Sequence, residues 1–243
     1  MTSDEIAAAA EATGLAVVGA FHPAEGDGVP EGIATLLLLG PADGAMWQAF
    51  RAAPEASDGR PDPLDRWSRR IVEKLAGQLG GIALFPFGGP PWHPFQRWAA
   101  RGEGAVVSPV AMQVTPARGL WASYRGAIGM RGRMRLPTRS LPDPCLGCTA
   151  PCLSACPVHA FRGGAYDVSA CVRHVLGDTG CACRAGCLVR VACPAGASVD
   201  LPAEQRAFHM AAFLAAQEPG SSTVSPNSVD NDTGKLTNRP VHH

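Results

Sequence analysis

Residues 145–157 read Cys145-Leu-Gly-Cys148-Thr-Ala-Pro-Cys152-Leu-Ser-Ala-Cys156-Pro157, a C-x2-C-x3-C-x3-C-P run, and a second set follows as Cys171, Cys181, Cys183, Cys187 and Cys193-Pro194. All nine cysteines of the 243-residue chain lie in this stretch, whereas the five tryptophans (Trp47, Trp67, Trp92, Trp98 and Trp121) all precede it. Core and cysteines therefore occupy different parts of the chain. Such a density of thiols serves disulfides in an oxidising compartment and metals or clusters in a reducing one. The amino terminus Met1-Thr2-Ser3-Asp4-Glu5 is acidic where a signal peptide is basic, and no apolar run reaches the roughly 18 residues of a membrane span. A soluble, cytoplasmic protein with no membrane partner is expected, and with it the reducing alternative.

Two C-P dipeptides narrow the chemistry. In two-cluster ferredoxins the cysteine before proline leaves its own triplet and ligates the other iron-sulfur cluster. Applied twice, that logic groups Cys145, Cys148, Cys152 and Cys193 around one 4Fe-4S cluster. It groups Cys156, Cys171, Cys187 and one of Cys181 or Cys183 around a second, leaving one cysteine over. Tetrahedral zinc also accepts four thiolates, but as two knuckles, and zinc chemistry does not account for a triplet plus C-P occurring twice. The first set departs from C-x2-C-x2-C-x3-C-P by one residue and the second is looser, so zinc, a single cluster and disulfides stay open as alternatives. His159 and His174 stand beside cluster cysteines as substitute ligands or tuning groups.

Working outward, 28 glycines and 22 prolines predict a turn-rich chain, while 46% hydrophobic against 17% charged residues suffice for a packed core. A capped helix is predicted from Ser3 to Ala12, strands over Leu15–Phe21, Ile33–Leu39 and Ile82–Phe85, and helices over 45–51 and 64–75. The second strand is apolar on both faces, as a central strand covered by helices would be. Phe87-Gly88-Gly89-Pro90-Pro91-Trp92-His93-Pro94 breaks regular structure, and Trp92 with Phe95 and Trp98 forms a stripe suited to a core. The expected fold class is an α/β (α+β) layer domain over 1–140, then a loop-rich cysteine module over 141–198. A C-terminal helix over 199–218 and a disordered tail over 219–243 follow.

Net charge is zero, yet residues 1–103 carry 13 acids and 8 bases while 104–200 carry 4 acids and 10 bases. No acid falls between Glu103 and Asp143, where Arg118, Arg125, Arg131, Arg133, Arg135 and Arg139 lie. Two readings follow: the arginines offset the negative charge of the clusters, or they offer a docking face to an acidic redox partner or a phosphate-bearing ligand.

The cysteine pattern, the upstream Cys171 and the closing Cys193-Pro194 resemble the iron-sulfur part of the epoxyqueuosine reductase family and its relatives among corrinoid-dependent reductive dehalogenases. Tyr124-Arg-Gly-Ala-Ile-Gly-Met130 resembles the glycine-containing segment those enzymes carry just ahead of their clusters. The likeness covers roughly residues 104–196. It implies a two-cluster ferredoxin-like module and, in the α/β part, a reduced, nitroreductase-like layer holding cobalamin or a flavin. Tyr124, Arg125, Trp92 and His93 are then the candidate cofactor-binding residues. The family's catalytic acid has no counterpart, since Val106-Val107-Ser108-Pro109 offers a serine at that place. Helical repeats that grip tRNA are lacking too, so tRNA is not the expected partner. Electron transfer between unidentified donor and acceptor proteins is the primary expectation; a cobalamin- or flavin-dependent reductase is the alternative.

Overall fold

A computed structural model describes residues 2–137 and 142–218. Arg139 and the expected tail over 219–243 lie outside the described residues. Along the chain the strands are β1 (Leu15–Phe21), β2 (Thr35–Pro41), β3 (Ile82–Leu84), β4 (Val106–Val107), β5 (Gln113–Val114) and β6 (Gly126–Met130). The helices are α1 (Ser3–Glu11), α2 (Asp43–Arg51), α3 (Pro63–Leu79), α4 (Phe95–Glu103), α5 (Val168–Leu176), α6 (Cys181–Arg184), α7 (Leu188–Val191) and α8 (Ala203–Ala215). They form two compact units, one of residues 2–105 and 123–137, the other of 106–122 and 143–218.

The first unit is mixed α/β, built on a small antiparallel sheet of order β1-β2-β6-β3. β2 is buried along nearly its whole length because β1 and β6 flank it and helices cover both faces. Leu36 and Leu38 pack with Phe95 and Trp98 of α4 on one face. On the other, Gly126, paired with Leu39, lies under Val72 of α3. Helix α4 settles directly on β1 because both surfaces are glycine there: a Cβ on Gly19 would lie 2.8 Å from the Gly102 backbone.

Local signals explain most boundaries. Helix α1 is capped by Thr2 rather than Ser3, because Glu5 stands three residues after Thr2 and completes a capping box: Glu5 N–H donates to Thr2 Oγ1 at 3.2 Å, and Thr2 N–H donates to Glu5 Oε2 at 2.8 Å. Helix α3 begins at Pro63, where a missing N–H costs nothing, and stops at Gly80 in the left-handed conformation with φ +66°. Strand β6 has no such signal. Its glycines depress strand propensity, yet a Cβ on Gly129 would strike Ile33, and one on Gly126 would press on Val72 at 3.1 Å.

The second unit holds all nine cysteines on short helices and turns, with β4 and β5 as a two-stranded hairpin and α8 packed against α6. The expected boundary at residue 140 needs one correction: residues 106–122 belong with the cysteines. The reason is packing, since Val110, Val114 and Leu120 share a core with Cys152, Cys156, Ala160, Val189 and Cys193. Arg190 reinforces it by donating to the Leu120 carbonyl at 2.9 Å. Among the described residues no helix is long and apolar enough to cross a membrane.

Candidate functional site

The thiols assemble in two groups, and each group takes its C-P cysteine from the other's stretch of sequence. Cys145, Cys148 and Cys152 come from one loop. Asp143 Oδ1 accepts from Cys145 N–H at 2.8 Å, and Cys148 N–H donates to the Cys145 carbonyl at 3.1 Å. That turn needs Gly147 at φ +76°, after which Ala150 at φ +52° redirects the chain into the turn carrying Cys152. Ala150 N–H then donates to Cys148 Sγ at 3.4 Å, the contact that stabilises a thiolate. Cys193, two residues beyond α7, closes the group. The four line one cavity of about 30 Å³ with apolar walls from Val114 and Leu120, larger than the ~10–15 Å³ a single water needs.

The second group is Cys156, Cys171, Cys183 and Cys187. Ala160 N–H donates to Cys156 Sγ at 3.3 Å. Cys171 rides on α5, whose amino end is capped by Asp167 accepting from Ala170 N–H at 2.8 Å. Tyr166 stands beside Cys171, and its ring lies flat on Phe161 with centroids 4.5 Å apart. Arg190, anchored on Leu120, brings a positive charge to Cys187. Cys183 is buried and interacts electrostatically with Cys187, Cys171, Cys156 and Cys181, while Cys181 itself is exposed. Burial thus separates the two cysteines that the sequence leaves equivalent.

Electrostatics agree with the grouping. Burial pushes the Cys145 and Cys152 thiols up; Asp143, Cys148, Cys152 and Cys193 push the same way at Cys145, and Cys193 and Cys148 at Cys152. Burial likewise raises Cys171 and Cys183, with Cys187 and Cys156 adding to it; the Tyr166 hydrogen bond works against the rise at Cys171. Holding four such thiols ionised together requires a cationic body between them. Among the described residues, no three His, Cys, Asp or Glu side chains gather closely enough to hold a single metal ion. The nine cysteines are free of disulfides.

The other candidates belong to the first unit. The Tyr124 hydroxyl donates to Glu103 Oε2 at 2.6 Å, and Glu103 is itself buried. Arg125 is buried and donates to Asp65 at 3.3 Å; burial lowers its guanidinium pKa and Asp65 opposes the change. His93 stacks on Trp98 at 5.4 Å, and burial keeps its imidazole below the ordinary value. Trp92 is half-buried in the loop ahead of α4. Of the arginine-rich stretch, Arg118 falls in the cysteine unit, while Arg125, Arg131, Arg133 and Arg135 fall in the other. His159 is exposed.

Three residues that sequence reading gave no role stand at the thiols. Tyr166 and Arg190 flank the second group. Ser108 lines the cavity of the first, supplied by a segment whose long-range packing no local pattern announces. No protein-family model, curated protein or solved structure matches the chain.

Proposed function

We propose that this protein transfers electrons through two 4Fe-4S clusters, as a component of a reductase. Cys145, Cys148, Cys152 and Cys193 would hold one cluster, and Cys156, Cys171, Cys183 and Cys187 the other. Bound there, each cluster would supply one-electron oxidation and reduction. The supporting observation is the interlacing itself. The cysteines before Pro157 and Pro194 exchange partners, as they do in two-cluster ferredoxins and as two independent zinc knuckles do not.

The surroundings fit an electron-rich body. Backbone N–H groups of Ala150 and Ala160 point at thiol sulfurs, and Arg190 supplies positive charge. Each favours added negative charge and so raises the potential of what is held. Electron transfer alone is proposed. Of the residues expected to hold a corrin or flavin, Tyr124 is committed to Glu103 and Arg125 to Asp65.

The test is metal and acid-labile sulfide analysis of anaerobically purified full-length protein. About eight irons and eight sulfides per chain are expected for two cubanes. Zinc without sulfide would overturn the proposal.

A further inference from the structure

Ser108 is 5% exposed and opens the turn between β4 and β5. Its backbone is fully engaged: Ser108 N–H donates to the Met112 carbonyl at 2.8 Å, and its own carbonyl accepts from Ala111 N–H at 2.9 Å. Its side chain is not, for Ser108 Oγ is buried with no hydrogen-bond partner. The residue nevertheless lines the cavity shared by Cys145, Cys148, Cys152 and Cys193. An apolar side chain would suit the neighbouring Val114 and Leu120 better, because a buried hydroxyl without a partner carries a desolvation cost that alanine avoids. The hairpin also fixes the serine from a chain segment remote from the cysteine loop.

We infer that Ser108 is a positioning residue for the first centre: its hydroxyl donates a hydrogen bond to a sulfur of the group those four cysteines hold, and thereby raises that centre's reduction potential. The inference rests on the iron-sulfur reading above. Reduction adds negative charge to the sulfurs, so a fixed donor is bound more strongly in the reduced state and favours it. Because Ser108 lines the cavity of the first group, its replacement addresses that centre.

The experiment is a paramagnetic-resonance redox titration of full-length wild type, Ser108→Ala, Ser108→Thr and Ser108→Val, each with iron and sulfide measured. In Ser108→Ala one of the two midpoints moves to a more negative potential and the other stays, with metal content unchanged. Thr and Val have the same shape and differ only in the hydroxyl, so the pair controls for packing. Thr keeps the wild-type midpoint, and Val follows Ala. Equal midpoints in the Thr and Val proteins would overturn the inference while leaving the cluster reading intact. Wild-type protein without iron and sulfide would instead overturn the reading beneath it.

Discussion

Replacing Cys181 and Cys183 separately with serine distinguishes two neighbours that look equivalent in sequence. They stand two residues apart at the start of α6, so their side chains leave the helix about 200° apart and only one can face the second group. Cys183 faces it, buried beside Cys187, Cys171 and Cys156, while Cys181 is exposed. Losing one of four thiolate ligands releases a whole four-iron body, so Cys183→Ser should halve the metal, from about eight irons per chain to about four. Sulfide should fall in step. Cys181→Ser is a surface change, with full metal content and stability within about 0.5 kcal/mol of wild type. Iron and sulfide assays with parallel denaturant unfolding report both. A Cys181→Ser protein that loses half its iron while Cys183→Ser keeps it all would refute the assignment.

Other consequences follow from the same geometry. Cys193→Ser should remove the cluster of the first group although the residue lies at the far end of the cysteine stretch, and Cys156→Ser should remove the other. Paramagnetic resonance of the two variants should show complementary residual signals, and identical residual spectra would contradict the crossing. Tyr124→Phe loses the 2.6 Å hydrogen bond to buried Glu103 and should destabilise the first unit by about 1–3 kcal/mol. Tryptophan fluorescence in urea should show the transition shift; an unmoved midpoint argues against a structural role for that bond. Metal-free protein should lose stability as pH rises above the ordinary thiol value near 9. Burial raises Cys145, Cys152, Cys171 and Cys183 in the folded state, so the unfolded chain sheds those protons first. Thermal unfolding of the metal-free form across pH 7–10 checks this, and stability that increases over that window would reverse the sign.

Much of the first unit is written locally. The continuous apolar run of β2, the Pro63 start of α3 and the glycine stop after it are short-range signals, and the elements lie where those signals point. Strand β6 is not legible in the same way: its glycines answer contacts with Ile33 and Val72 from distant segments. Thr2, not Ser3, caps α1 because the choice depends on the spacing to Glu5. In the second unit, Cys156-Pro157 and Cys193-Pro194 mark where the sequence leads one to expect an exchange of ligands, and Cys193 lines a cavity with Cys145, Cys148 and Cys152. Which of Cys181 and Cys183 turns inward depends on burial, and the sequence does not contain that directly. The placement of 106–122 with the cysteines is likewise tertiary, resting on Val110, Val114 and Leu120. Ser108 travels with that segment, which is why a serine among apolar neighbours carries no sequence signal.

The most direct test is low-temperature paramagnetic resonance of the dithionite-reduced, full-length protein. Two interlaced thiol groups sharing the core of one unit predict two reduced clusters per chain whose spins interact, giving a broadened spectrum that simplifies to a single isolated signal in Cys193→Ser. A colourless protein with no signal, or a wild-type spectrum of one isolated cluster, would contradict it.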